Sequence, residues 1–217
     1  MNRLSSFTFS DLSVHRLVTG PIQENTYLIR ASSGEAVLVD PGDDAPDILE
    51  LVNRTNSRVL GVLLTHAHFD HVGAVQPVRE TLEIPVYLHR EAWSQYSQAS
   101  SAAARWNLPF VQPAPPDLEL PEGAFSLGTL AFRNLFTPGH APGHLALCSS
   151  HGFVLSGDAL FHGGIGRTDL PGGDHELLLE RIRTQLLTLP EDTVVFSGHG
   201  AETTIGQEKT GNPYLRA

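Results

Sequence analysis

The run Thr65-His66-Ala67-His68-Phe69-Asp70-His71 constrains this chain more than any other feature. It sets four imidazole or carboxylate side chains within six residues, directly after the nearly all-apolar stretch Val59–Leu64. That stretch reads as a strand buried on both faces, as in layered α/β proteins. In extended backbone, residues two apart point the same way, so His66 and His68 can clasp one cation. Asp70 and His71, past a turn, can face a neighbouring one. A tetrahedral ion takes about four ligands, so the cluster is too large for one ion and too small for two. Further ligands must arrive from elsewhere.

Three other strand ends offer them. Thr137-Pro138-Gly139-His140 and Ser197-Gly198-His199-Gly200 each put an imidazole on a tight turn, and Ser156-Gly157-Asp158 adds a carboxylate. Glycines there permit close approach of backbone to the site, and strand ends are where rigid scaffolds place reactive groups. The set divides as His66, His68 and His140 on one metal and Asp70, His71 and His199 on the other, with Asp158 bridging. Imidazoles with carboxylates favour zinc, iron or manganese. Two divalent ions are expected, zinc first, with iron or manganese as the alternatives.

The remaining pattern reads as alternating strands and helices. Strands are expected at Val14–Val18, Thr26–Ile29, Ala36–Val39, Pro85–Leu88, Ala124–Leu127, Leu130–Leu135, Phe153–Ser156 and Thr193–Phe196. Helices are expected over 46–54, after the lead-in Val72–Val75 and ending near Leu82, at the surface over 91–106, and over 174–189, with Asp174 as N-cap and Pro190 as stop. Residues 109–123 hold five prolines and read as a loop, a connection or a wall over the site. The 217 residues fit one domain spanning 1–217, built as two α/β halves packed sheet on sheet.

Composition narrows the partners. A net charge of −10 argues against nucleic acid, whose phosphates need clustered Lys and Arg. No apolar run reaches the roughly 20 residues that span a bilayer, and the first residues lack an apolar signal core. With Cys148 alone, no internal disulfide or thiolate cluster can form. A cytoplasmic chain whose one cysteine fills core is expected, its oligomeric state open.

Several residues carry two readings. Arg167 either meets a substrate carboxylate or carbonyl, or pairs with Asp169 or another acid. His144 either orients a ligand or is a buried, hydrogen-bonded histidine. Asp40 is expected behind a ligating histidine. His15, His89, His151 and His175 are expected at the surface or at caps.

Together, Thr65–His71, Thr137–His140, Gly157-Asp158, Gly198-His199-Gly200 and the upstream Val39-Asp40-Pro41-Gly42 resemble the signature of the metallo-β-lactamase superfamily, in the same order. The resemblance implies an α/β fold, an αββα four-layer sandwich of two mixed sheets flanked by helices, with metals at one edge. Gln23–Tyr27, Ile165–Gly173, Thr203–Gly206 and Asn212–Leu215 are similar to short, single-domain type II glyoxalases, the hydroxyacylglutathione hydrolases. Ala67 stands where the family usually has glycine. Longer relatives add a C-terminal helical region that grips glutathione, a region this sequence lacks, which leaves the thiol carrier open.

What this implies is hydrolysis of a small acyl-thiol such as S-lactoylglutathione. Paired metals lower the pKa of a shared water toward about 7, and Asp70 and Asp158 would orient the resulting hydroxide. Competing implications are a persulfide dioxygenase, with one iron on His66, His140 and Asp158, and a lactonase. A β-lactamase fits less well, because the best-known ones carry cysteine at the place of Asp158.

Overall fold

The computed structural model describes residues 3–216. Two sheets carry the architecture. The first holds β1 (Leu4–Phe9), β2 (Leu12–Thr19), β3 (Glu24–Ala31), β4 (Glu35–Val39), β5 (Arg58–Leu64), β6 (Val86–Leu88) and β7 (Leu118–Glu119), in that spatial order. Its first four strands run antiparallel, and β4 to β7 pair parallel. The second sheet contains β8 (Gly123–Leu127), β9 (Leu130–Phe136), β10 (Leu145–Ser149) and β11 (Phe153–Gly157). After the small hairpin of β12 (Leu160–Phe161) and β13 (Gly164–Ile165), β14 (Val194–Ser197) joins it parallel to β11, and β15 (Thr203–Thr204) closes the edge.

Period-two alternation builds the layers. Ile29, Val37, Val39 and Leu63 face the second sheet, meeting Leu145, Leu147, Phe153, Leu155 and Phe196 in one buried cluster. Their neighbours Leu28, Leu38, Val62 and Leu64 face outward onto α1 (Ala45–Arg54) and onto α3 (Val75–Leu82), which follows the single turn α2 (Phe69–Val72). The short helices α4 (Trp93–Tyr96) and α5 (Ala99–Ala104) extend that layer, burying Tyr96 and Ala99. On the far side, Ala146, Val154 and Val195 face α6 (His175–Arg181), its wider continuation Ile182–Leu186, and α7 (Ile205–Gly211). Helices, sheet, sheet and helices therefore stack as the αββα sandwich.

Some elements differ from expectation. The stretch 91–106 is not one surface helix: a turn at Arg90–Ala92 precedes α4 and α5, and Ala92, Tyr96, Ala99 and Ala103 are buried. His89 opens that turn at the N-cap position and is buried against the Phe136 ring, not exposed. The run Leu145–Leu147, expected only as core, is strand β10. Leu4–Phe9, unassigned from sequence, pairs with β2 and sets Phe7 and Phe9 against Phe196 and Phe153, each with ring centroids 4.9 Å apart. Cys148 is half-buried beside the outer core. No described helix is long and apolar enough to cross a membrane.

Asp174 is the expected cap: its carboxylate accepts from Leu177 N at 3.0 Å. Its own N–H donates to Gly139 O at 2.7 Å, tying α6 to the turn that carries His140. Asp174→Ala is expected to cost ~1 kcal/mol in urea unfolding; an unmoved midpoint would show that the cap contributes nothing.

Candidate metal centre

The site forms where strand ends of both sheets meet. β5 delivers Thr65, His66 and His68, and α2 carries Asp70 and His71. His140 lies in the β9–β10 connection, Asp158 follows β11, and His199 follows β14. Backbone bonds lock the ends together: Leu145 N donates to Thr65 O (2.8 Å) and Gly198 N to Gly157 O (2.9 Å). The Glu24–Tyr27 motif is the stitch between sheets. Asn25 Nδ2 donates to Ser197 O and to Gly200 O (2.9 Å each), and Tyr27 Oη donates to Ser197 O (2.6 Å), fixing the loop that bears His199.

All seven expected side chains converge. His66, His68 and His140 bring one nitrogen each within 4.8 Å of one another, and Asp70, His71 and His199 form a second such trio. Asp158 lies between them. Its Oδ1 is 3.4 Å from His71 Nε2, and its Oδ2 is 3.5 Å from His140 Nε2 and 3.6 Å from His199 Nε2. Asp70 Oδ2 is 3.2 Å from His199 Nε2.

The outward nitrogens are held, which aims the inward ones. His71 Nδ1–H donates to Asp40 Oδ2 (3.1 Å) and His140 Nδ1–H to Arg167 O (2.7 Å). His66 Nδ1 meets Thr65 Oγ1 (3.0 Å), whose hydroxyl donates to Asp40 Oδ2 (2.6 Å), while Thr65 N donates to Asp40 Oδ1 (2.7 Å). One buried aspartate thus braces a histidine of each trio, directly or through Thr65. His144 resolves toward orientation: its Nε2 accepts from Asp158 N (3.1 Å), and its Nδ1 meets Thr137 Oγ1 (2.8 Å). Thr65 was not singled out from sequence, although a hydroxyl beside a ligating histidine is a readable signal. Glu24, also missed, is buried, accepts from Thr19 and Thr26 hydroxyls, and lies 3.8 Å from His71 Nδ1. Burial first, then nearby Asp40, pushes its carboxyl well up.

A cation pair fits this set on the structure's own terms. His68 Nε2, His71 Nε2, His140 Nε2 and Asp158 Oδ1 are buried without a hydrogen-bond partner. Each such atom ordinarily costs about 1–3 kcal/mol, so four in one place mark a position for positive charge. Burial pushes His66 and His140 down, and His68 to about 3, which keeps these rings neutral and able to ligate. Burial also opposes charge on His71 and His199, but the surrounding carboxylates outweigh it and raise both. Asp158 is held far below the usual carboxylate range, because His71, His140 and His199 together overcome its desolvation. Two glycines are required by contact: a Cβ on Gly198 would overlap Asp158 Oδ1, and one on Gly166 would overlap Asp158 O.

A cavity of about 780 Å³ opens onto the centre, lined by His68, Asp70, His140, Asp158 and His199 and further out by Phe69, Arg105, Trp106, Phe161 and Arg167. A second, of about 330 Å³, lies beside Asp70 and Glu24, walled by Leu108–Val111 of the proline-rich segment. Arg167 forms the expected pair with Asp169 and also faces the cavity. Its Nε and Nη2 are bidentate to Asp169 (2.8 and 2.7 Å), while it lines the main cavity.

An αββα sandwich with a histidine–aspartate centre at its strand ends defines a class of metallo-hydrolases. The Metallo-beta-lactamase superfamily profile matches residues 19–199, and the chain belongs to that superfamily. It is 43% identical over 204 residues to the probable metallo-hydrolase YqgX of Bacillus subtilis, covering 92% of this chain and 96% of that one. It is 37% identical over 199 residues to the hydroxyacylglutathione hydrolase GloC of Haemophilus influenzae, covering 90% and 94%. Among solved structures, it is similar to the BLEG-1 B3 metallo-beta-lactamase (TM-score 0.89, 43% identity, 93% and 99% covered). It is also similar to TTHA1623 in a di-iron-bound form (TM-score 0.87, 46% identity, 92% and 99% covered).

Proposed function

We propose that this chain is a dinuclear metal-dependent hydrolase of small acyl-thioesters of the S-lactoylglutathione type. The observation that carries the reading is Asp158, whose two oxygens reach histidines of both trios. In this reading His66, His68 and His140 hold one ion, Asp70, His71 and His199 the other, and Asp158 both. Two divalent ions held there would supply Lewis acidity for a carbonyl oxygen and lower the pKa of a bound water. The chain's own residues do the rest. Asp70 and Asp158 accept hydrogen bonds from the attacking water and aim it at the carbonyl carbon. Asp40, Thr65 and the Arg167 carbonyl keep the imidazoles in ligating tautomers. Arg167 contributes its unpaired Nη1 edge to substrate at the cavity wall. A thiol leaves as its anion with a pKa near about 8.5, so the leaving group needs no proton donor. The hydroxyacylglutathione hydrolase among the relatives supports the thioester, and the di-iron-bound relative supports a metal pair. Zinc is proposed as the resident metal.

The test is hydrolysis of S-lactoylglutathione by the metal-loaded protein, run beside a β-lactam, a lactone and glutathione persulfide. Thioester cleavage at 10-fold or greater preference, taken as roughly 1.4 kcal/mol of transition-state discrimination, supports the reading. The β-lactam arm answers the one specific observation for a second reading, the likeness to a B3 metallo-beta-lactamase. Oxygen uptake with the persulfide would instead favour a dioxygenase.

Loading should depend on pH unequally. Ligating imidazoles must be neutral. The depressed His66, His68 and His140 stay neutral well below their ordinary range, while the raised His71 and His199 take protons first as pH falls. Equilibrium dialysis from pH 8 to 5 is expected to show bound metal falling in two steps, one ion per chain at a time. Simultaneous loss of both would contradict this.

A further inference from the structure

Two arginines line the cavity above the metal centre, Arg105 and Arg167, and they differ in how they are partnered. Arg3, Arg16, Arg54, Arg58, Arg79, Arg90, Arg167 and Lys209 are each paired with a carboxylate. Among the described residues, the Arg105 side chain has neither an ion-pair partner nor a hydrogen bond, yet it lines the cavity above the metal centre. The cavity's aspartates, Asp70 and Asp158, are turned to the histidines and do not pair with it. Only one other arginine lines this cavity, Arg167, and Asp169 already holds its Nε–Nη2 edge.

The local fold presents Arg105 for binding. α5 ends at Ala104, and its small side chains Ser101 and Ala102 line the same cavity. Trp106, 54% exposed, follows at once and lies 6.4 Å from the Phe69 ring, next to Asp70. Apolar ring surface therefore runs from the rim to the centre, with a free guanidinium at its outer end. Guanidinium presents a planar fork that suits a carboxylate, and an indole face supplies apolar cover for the chain leading to it.

We propose that Arg105, with Trp106 beside it, binds a carboxylate on the thiol carrier and makes the enzyme selective for anionic acyl-thioesters. The proposal rests on the thioester reading above. It adds a specificity-determining residue outside the metal centre.

The test compares wild type with Arg105→Ala and Arg105→Lys on two lactoyl thioesters, one of glutathione and one of neutral N-acetylcysteamine. The ratio of their kcat/KM values is expected to fall about tenfold in Arg105→Ala, chiefly through KM, with partial recovery in Arg105→Lys. Added salt should shrink the wild-type ratio, because the contact is exposed. A general structural defect would lower both substrates and leave the ratio, which would overturn the proposal. Calorimetry with the non-hydrolysable S-hexylglutathione and its diethyl ester separates this inference from the thioester reading. If wild type cleaves neither thioester, that reading fails, while binding of the free acid over the diester, lost in Arg105→Ala, still upholds Arg105. No such preference overturns it.

Discussion

Asp158→Ala is expected to lower thioester turnover by more than about a hundredfold. Loss of a hydrogen-bonding partner outside a metal's ligands costs about 10–100-fold in affinity or activity. Asp158 is closer in than such a partner. Its two oxygens lie 3.4–3.6 Å from nitrogens of His71, His140 and His199, from both trios, and Oδ1 is buried with no hydrogen-bond partner of its own. Its position is set independently of its charge, by His144 on its N–H and by Gly198, whose missing side chain makes room for it. Alanine therefore removes the carboxylate while the strand end stays. Asp158→Asn guards against a packing defect, since it keeps the shape and removes the charge. Circular dichroism reports the fold, and metal analysis of both variants should show fewer than two ions per chain. Full turnover in either variant would remove the bridging role.

Asp40→Asn is expected to weaken metal affinity by about 10–100-fold, read by competition with a chromogenic chelator. Asp40 accepts from His71 Nδ1, from Thr65 Oγ1 and from Thr65 N, so a single carboxylate orients a histidine of each trio. It also sits at φ 48°, a left-handed conformation that asparagine tolerates and alanine does not. The asparagine variant thus tests the hydrogen bonds, and Asp40→Ala adds backbone strain of about 1–2 kcal/mol. Unchanged affinity in Asp40→Asn would show that the tautomers are set by packing alone.

The seven inward-facing groups were legible because their chemistry is unusual at strand ends. His66, His68, Asp70 and His71 follow a buried strand, and His140, Asp158 and His199 sit in glycine-marked turns that serve no other purpose in the pattern. The supporting shell was only partly legible. Asp40 was expected, but the bonds from Asn25 and Tyr27 to Ser197 join residues about 170 positions apart, and nothing local announces them. The burial of His89, and of one side of 91–106, likewise depends on which sheet face lies beneath, which periodicity cannot supply. Strand β10 was hidden for a related reason: Leu145–Leu147 is buried on both faces, so it carries no alternation to read. Arg105 carries no signal in the sequence, because an arginine near the end of a helix is ordinary and only the fold sets a cavity beside it.

A pair of cations held by residues from both sheets is tested most directly by stripping the purified protein with a chelator, then titrating zinc while following S-lactoylglutathione hydrolysis. Activity should be absent at the start and rise to a plateau at two equivalents per chain. Full hydrolysis by the stripped protein, or a plateau at one equivalent, would contradict the dinuclear centre.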